Sequence, residues 1–293
     1  MRERWYWKVT LLIIALAATV TGTSGIARGQ EAPPTKVRYP LHESSSRNVI
    51  VIGFVGGFVS RDDAKHPEVQ FAAYLRDRYP TIHAEVFGNH HGQKALHWVV
   101  RLLDTDQDGS LNPSEREQAT IILYGHSWGA SETVSFAQEL GKMGIPVLLT
   151  IQVDTIAKPG HKSSAIPENV ASAINFYQTN GPLHGLPQIA AANPERTKII
   201  GNIRMTYDDR PINCNNYSWY ARFFNKPHHE IENDLRVWDE AGSLIDSDLS
   251  DTTLMVETPS PSNSPFFKYL RRGVQADTAA IDPLEIASGQ ESK

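Results

Sequence analysis

Hydrophobic and polar residues along this chain follow two different periods. Short continuous apolar runs rich in β-branched residues are typical of strands buried on both faces, and apolar residues three and four positions apart predict one-sided helices. The predicted strands are Val49–Ile52, Ile82–Phe87, Thr120–Tyr124, Val147–Val153 and Lys198–Thr206. The predicted helices are Pro67–Leu75, Gln93–Leu103, Ala130–Lys142 and Pro167–Tyr177. Because strands alternate with helices, the order predicts an α/β fold with a mostly parallel central sheet flanked by helices.

The two ends of the chain differ from this central region. Met1–Lys8 carries three basic residues, Val9–Val20 is almost wholly apolar, and Ala27-Arg28-Gly29 is a small-x-small sequence. This combination is typical of a secretory signal peptide. An uncleaved membrane anchor is the alternative, but the apolar run is shorter than the roughly 18–20 residues that span a bilayer. The predicted divisions are residues 1–29 as signal peptide, 30–46 as linker, 47–256 as the folded domain and 257–293 as a polar, Pro- and Ser-containing tail.

Composition and charge exclude several classes of function. Removing residues 1–29 takes four of the 28 Lys and Arg and one of the 33 Asp and Glu, which changes the net charge from −5 to −8. A nucleic-acid-binding protein would need a basic face or stripe, so no nucleic-acid partner is expected. Cys214 is the only cysteine, which excludes an internal disulfide. We expect a secreted or periplasmic protein with no organic cofactor and no stable membrane anchor after cleavage, and the oligomeric state stays open.

The strongest chemical signal is Gly125-His126-Ser127-Trp128-Gly129, a G-x-S-x-G motif between a predicted strand and a predicted helix. Chemistry at this motif needs a sharp strand-to-helix turn that exposes the serine hydroxyl at the carboxyl edge of the sheet. Both glycines are needed because a side chain there would collide with the neighbouring strand or helix. A serine that only caps the helix is the alternative. The strand and helix on either side favour Ser127 as a nucleophile.

A carboxylate and a histidine are expected after the serine, in the order Ser, Asp, His. Asp154 directly follows the predicted strand Val147–Val153, where a side chain would emerge at the same edge of the sheet. The competing carboxylates are Asp208 and Asp209. The adjacent His228 and His229, expected in a loop after the last strand, are the candidate bases, and only one of them can face the serine.

A glycine-rich stretch at the first strand supplies a candidate oxyanion hole. Gly53-Phe54-Val55-Gly56-Gly57-Phe58 ends that strand, and glycines let a backbone approach a substrate closely. In folds with this elbow, one amide comes from the loop after this strand and another from the residue after the serine. We therefore predict the amides of Trp128 and of Phe54 or Val55 as donors. A simple tight turn is the alternative.

At these motifs the chain resembles the α/β-hydrolase superfamily, in particular bacterial lipase- and esterase-like members with a G-H-S-W-G elbow. The resemblance covers roughly residues 48–244 and implies an acyl-enzyme mechanism with Ser127, Asp154 and His228. Among the two histidines it favours His228, because the run His-x-x-Ile followed by acidic or amide residues is similar to the triad-histidine loop of such proteins. The chain departs from the usual layout because only one predicted strand, Lys198–Thr206, separates the acid from the histidine.

The segment Asp104–Glu115 fits the twelve-residue EF-hand loop and is inserted before the elbow strand. Carboxylates at positions 1, 3 and 5 converge on a hard cation, glycine at position 6 permits the turn, and glutamate at position 12 binds in bidentate fashion. The candidate Ca²⁺ ligands are Asp104, Asp106, Asp108, the Ser110 carbonyl and Glu115. An acidic surface loop without an ion is the alternative. We expect the ion to be structural.

These features predict an exported serine hydrolase that cleaves a carboxylic ester of a small molecule or lipid, as an esterase or lipase does. The alternative is a non-catalytic, calcium-stabilised exported binding module on the same fold, since a fold alone does not define function. The segment 155–193 is predicted to form a cap over the substrate pocket, with Phe176, Tyr177 and Leu186 as lining.

Overall fold

The computed structural model describes residues 48–250, without residues 159, 161–162, 216 and 218 and without the side chains of residues 220–224 and 250. The predicted signal peptide (1–29), linker (30–46) and C-terminal tail (257–293) lie outside the described residues, as do residues 47 and 251–256 of the predicted domain.

Eight strands and six helices are described in this part of the chain. The strands are β1 (Val49–Val55), β2 (His83–Gly88), β3 (Thr120–His126), β4 (Val147–Val153), β5 (Ala165–Ile166), β6 (Val170–Tyr177), β7 (Ala190–Ala191) and β8 (Lys198–Arg204). The helices are α1 (Pro67–Arg78), α2 (Gly92–Leu103), α3 (Pro113–Glu117), α4 (Trp128–Lys142), α5 (Trp219–Glu232) and α6 (Leu235–Ser250). Among the described residues, no helix is long and apolar enough to cross a membrane.

Six of the strands form one sheet in the order β2-β1-β3-β4-β6-β8, and every pairing in it is parallel. The order reverses between β1 and β3, because the chain first adds β2 on one side of β1 and then adds the later strands on the other. In open parallel sheets, ligands bind beyond the carboxyl ends of the strands at such a reversal. The topology therefore identifies the ends of β1 and β3 as the place to look for a site.

Helices cover both faces of this sheet, and β1 shows how its side chains divide between them. Val49 and Val51 pack in one cluster with side chains of α1 and α6, whereas Ile50, Ile52 and Phe54 pack in the other with side chains of α2 and α4. A strand buried on both faces explains the continuous apolar run in the sequence. This doubly covered sheet, with a serine on the turn after β3, is the α/β-hydrolase fold predicted from the sequence.

The prediction of a helix at Pro167–Tyr177 is wrong, because residues 170–177 form β6 between β4 and β8. The sheet supplies hydrogen-bonding neighbours on both sides, and Ala173, Ile174 and Phe176 are buried there. A cap made of the whole segment 155–193 is therefore wrong as well, since Phe176 belongs to the core of the sheet.

The C-terminal part of the domain also differs from expectation. The loop predicted for the two histidines is instead the second half of helix α5, which has a kink at Asn225 and a proline at position 227. Helix α6 was not predicted, and its Trp238 lies fully buried against Phe71 and Tyr124. The additional strand β6 also means that two sheet strands, β6 and β8, lie between Asp154 and the histidines along the chain.

Candidate active site

Ser127 lies on the sharp turn between β3 and α4, at the carboxyl edge of the sheet. Its backbone has φ 58° and ψ −122°, a conformation that is strained for any residue other than glycine. The Ser127 amide donates to the Val153 carbonyl of the neighbouring strand at 2.9 Å, and the Ser127 carbonyl accepts from the Ser131 amide at 3.2 Å. The surrounding hydrogen bonds thus hold the strained turn in place.

The two glycines of the motif are required by close backbone approaches. A Cβ added at Gly129 would lie 2.0 Å from the Phe54 carbonyl oxygen, and one added at Gly125 would lie 2.6 Å from the Gly129 carbonyl carbon. Neither obstacle is a flexible side chain, so neither position accepts a larger residue without a backbone shift. The steric argument made from the motif is consistent with this geometry.

Asp154 follows β4 and lies beside the elbow across the sheet, because His126 and Val153 are partners in the β3–β4 register. Its fully buried carboxylate accepts hydrogen bonds from the Gln178 amide, the Gln178 side chain and the Gly185 amide, at 3.1, 2.9 and 2.8 Å. A Cβ at Gly185 would lie 2.4 Å from Asp154 Oδ1, so only glycine lets this amide approach so closely. Sequence analysis missed both Gln178 and Gly185, because neither belongs to a recognisable motif.

The structure distinguishes the two adjacent histidines by their partners. His228 Nδ1 lies 2.6 Å from Asp154 Oδ2, and both side chains are almost completely buried. His229 instead has its Nδ1 3.4 Å from Glu232 Oε2 and stacks on Tyr217. Only His228 is therefore paired with the carboxylate that adjoins Ser127.

The competing carboxylates lie elsewhere. Asp208 and Asp209 are exposed after β8, and Asp208 accepts a hydrogen bond from the Asn180 side chain at 3.1 Å. Cys214, which was given no catalytic role, is buried with its thiol 3.6 Å from the Ile212 carbonyl.

The imidazole of His126 lies beside that of His228, with 4.5 Å between ring centroids. Burial lowers the pKa of His126 to about 3, so this ring is uncharged at neutral pH.

The candidate oxyanion donors lie at the ends of β1 and β3. Trp128 is the first residue of α4, where a helix amide has no acceptor within the helix. Phe54 and Val55 lie within β1, and both take part in its pairing with β2. The backbone beyond them lies close to the serine, since a Cβ at Gly56 would lie 3.5 Å from Ser127 Cβ.

In the candidate calcium loop, residues 104–115, three carboxylates converge. Asp104, Asp106 and Asp108 each offer an oxygen within 4.8 Å of the others, and Gly109 has φ +83° as the turn requires. Glu115 is not part of this group. One of its oxygens accepts from the Thr105 amide and hydroxyl at 2.7 and 2.8 Å, and the other accepts from the Asn112 amide, in a capping box that begins α3.

The sequence matches no protein-family model and no curated protein. Several solved structures resemble the fold. They include a cutinase-like protein from Cryptococcus sp. with 13% identity, covering 70% of this chain and 98% of that chain, at a TM-score of 0.38. RedJ, solved with a PEG molecule in its active site, has 10% identity, covers 59% and 86%, and has a TM-score of 0.31. A protein described as a YdeN-like hydrolase from Pectobacterium atrosepticum has 17% identity, covers 55% and 78%, and has a TM-score of 0.26. At such low identity and TM-score, these likenesses do not define the activity of this chain.

Proposed function

We propose that this protein is a serine hydrolase that cleaves carboxylic esters through an acyl-enzyme intermediate. The observation that carries the proposal is the pairing of His228 with Asp154 at 2.6 Å, beside a serine held at positive φ at the end of β3. A helix-capping serine would have no need for a strained backbone or for a buried His–Asp pair at the same edge of the sheet.

In the proposed mechanism, Ser127 Oγ attacks the ester carbonyl and His228 Nε2 accepts its proton. Because Nδ1 of the same ring donates to Asp154, the tautomer leaves Nε2 as the acceptor, and the carboxylate stabilises the imidazolium that forms. His228 then returns the proton to the departing alcohol. A water molecule attacks the acyl-enzyme with the same histidine as base, which releases the acid and regenerates Ser127.

The negative charge that develops on the carbonyl oxygen requires amide donors. The Trp128 amide at the start of α4 fits this role. Phe54 and Val55 remain the donors predicted from the sequence, but their part in strand pairing favours the following Gly56–Gly57 segment as the second donor.

The aromatic side chains next to the elbow favour a substrate with an apolar part. Phe58 is 98% exposed and lies against Trp128, with 5.5 Å between ring centroids. The ring of His90 also lies near Trp128, with 6.2 Å between ring centroids. An apolar side chain so fully exposed beside a nucleophile suits an acyl chain or a lipid ester.

We also propose that the loop at residues 104–115 binds a structural Ca²⁺. The three convergent aspartates are hard oxygen ligands of the kind that Ca²⁺ prefers, and the Ser110 carbonyl stands at the position that supplies a backbone ligand. Glu115 would have to leave the capping box to bind the ion, unless water completes the coordination. No step of the reaction depends on this site.

The signal-like N-terminus supports export as a further part of the proposal. N-terminal sequencing of the protein recovered from the periplasm or medium is expected to begin near residue 30.

The activity is tested by hydrolysis of p-nitrophenyl acetate, butyrate and palmitate by the full chain and by Ser127→Ala, with labelling by a fluorophosphonate. We expect turnover and labelling in the wild-type protein and neither in the variant. Absence of both in the folded wild-type protein would contradict the proposal and favour a binding module on the same fold.

A further inference from the structure

A second group of ionisable side chains lies behind the proposed triad and is not used by the mechanism. We call it the His66 cluster: it consists of His66, Glu68 and Glu232, whose ligand atoms all lie within 4.8 Å of one another. His66 precedes the first turn of α1, Glu68 lies within that turn, and Glu232 ends α5 one turn after His228. The cluster therefore joins two helices that are far apart in the sequence.

Further imidazoles adjoin these three residues at distances suited to a shared ion. His126 Nδ1 lies 3.7 Å from a Glu68 oxygen and 3.6 Å from a Glu232 oxygen, and His229 Nδ1 lies 3.4 Å from the same Glu232 oxygen. In a tetrahedral site with bonds of 2.0–2.1 Å, ligand atoms are about 3.4 Å apart. The two His126 contacts are too long for hydrogen bonds and close to that separation. His229 Nδ1 makes a hydrogen bond to Glu232, and His66 Nδ1 lies closer still, 2.6 Å from Glu232 Oε1.

Within the described residues, one member of the cluster, the Glu68 carboxyl group, lacks partners although it is buried. Glu68 is fully buried, and neither of its carboxyl oxygens has a hydrogen-bond partner among the described residues. The amides of Glu68 and Gly56 lie near enough to favour its charged form, but neither makes a hydrogen bond of ordinary geometry. In the described part of the chain His126 Nε2 also lacks a partner, although Nδ1 is the atom of this ring that faces the two carboxylates. Buried polar groups without partners are rare and point to a missing ion or water.

The carboxyl groups of Glu68 and Glu232 are both buried, but their surroundings differ. Glu232 Oε1 lies 2.6 Å from His66 Nδ1, whereas Glu68 has no hydrogen-bond partner among the described residues. A bound cation would balance the charge of the second carboxylate.

We propose that the His66 cluster is a binding site for a divalent transition-metal ion of the zinc type, with His66, Glu68 and Glu232 as ligands and His126 as the nearest fourth donor. Imidazole and carboxylate together suit Zn²⁺ or Co²⁺, whereas Ca²⁺ takes oxygen ligands alone. The chain would then hold two ions of different chemistry, one here and one in the calcium loop.

An ion would reach the site from the surface near His66 and His229, whose side chains are 14% and 16% exposed. Tyr217 stacks on His229 and meets His66 edge-on, so it covers this opening. A bound ion would fasten α5 to α1 and thereby stabilise the helix that carries His228. This role is structural, and the proposal does not depend on ester hydrolysis.

The test is Co²⁺ binding to the chelator-treated full chain, measured by metal stoichiometry and by the visible absorption of nitrogen-ligated Co²⁺ in the presence of saturating Ca²⁺. We expect one equivalent, competition by Zn²⁺, and a rise of about 5–10 °C in Tm at a 100-fold excess over Kd. Ser127→Ala is expected to bind Co²⁺ equally well, so metal binding and ester hydrolysis are tested independently.

The test variants remove a proposed ligand and are expected to fold. His66→Asn removes a ligand but places a favoured residue at the N-cap of α1, where the histidine makes no capping bond. This variant and Glu232→Gln are expected to lose the Co²⁺ absorption. The exposed Glu240→Gln on α6 and the calcium-loop variant Asp106→Asn are the matched controls, and both are expected to retain it.

Absence of Co²⁺ binding by the wild-type protein would overturn the proposal. Retention of the full absorption by His66→Asn would overturn it too. The same holds if Asp106→Asn abolishes the binding, because the ion would then belong to the calcium loop.

Discussion

Replacing Asp154 with asparagine tests the proposed triad at its most constrained residue. The Oδ1 atom accepts two backbone amides, those of Gln178 and Gly185, and neither amide can turn away. The side-chain oxygen of asparagine is therefore expected at this position. Its NH₂ group then occupies the Oδ2 position, 2.6 Å from His228 Nδ1.

The consequence for His228 is a change of tautomer. An NH₂ group at the Oδ2 position donates to Nδ1, so the imidazole proton moves to Nε2, which can no longer accept the proton of Ser127. In the triad template, such a change lowers kcat by about 10⁴-fold, equivalent to about 5 kcal/mol of transition-state stabilisation. The new amide also faces the Gln178 side chain as donor against donor, and we expect it to cost about 1–3 kcal/mol of folding free energy.

The assay is kcat for p-nitrophenyl butyrate, with circular dichroism and urea unfolding to verify the fold. Asp209→Asn is the matched control, since it makes the same change at an exposed carboxylate near the end of β8, and its kcat is expected to stay within about twofold of the wild-type value. A folded Asp154→Asn variant whose kcat lies within about tenfold of wild type would refute the reasoning. Loss of activity in Asp209→Asn instead would identify a different carboxylate.

Three further predictions concern stability. Gly129→Ala is expected to lower the free energy of unfolding in urea by about 3 kcal/mol or more, because the new methyl group would lie 2.0 Å from the Phe54 carbonyl oxygen. The control Gly242→Ala in α6 meets its nearest neighbour at 3.8 Å and should be neutral or stabilising. Equal effects of the two variants would contradict the steric argument. Trp238→Ala is expected to lower the free energy of unfolding by about 3–5 kcal/mol, because it empties a fully buried site. Trp219→Ala, at a side chain 71% exposed, is expected to change it by about 0.5 kcal/mol or less. A small decrease for Trp238→Ala would show that the core collapses around the vacated site. Adding EGTA to the calcium-loaded protein is expected to lower Tm, and an unchanged melting curve would count against the calcium loop.

Much of the fold and the nucleophile could be predicted from the sequence because the signals are local. The apolar runs of β1, β3 and β4 correspond to strands buried on both faces, and the G-x-S-x-G motif describes a turn whose steric limits lie within a few residues. The helix α4 follows from a short-range pattern in the same way.

The strand β6 illustrates where local pattern failed. Val170 and Ile174 are four positions apart, as on a helix face, and the intervening alanines suit a helix at least as well as a strand. Residues 170–177 form a strand because they pair with β4 and β8, which provide hydrogen-bond partners and burial. A pattern of neighbouring residues gives no information about these partners.

The choice between His228 and His229 needed the tertiary structure for a related reason. Adjacent residues on a helix point about 100° apart, so only the placement of α5 decides which ring meets Asp154, 74 residues away in the sequence. The donors Gln178 and Gly185, and the contact of His66 with Glu232 across 166 positions, likewise arise from the folding of distant segments against one another. The sequence by itself determined the strand-and-helix order and the strained serine turn, because periodicity and short-range steric limits depend only on residues that are close together in the chain. Only the tertiary structure decided which carboxylate and imidazole meet, because those contacts depend on how the elements pack.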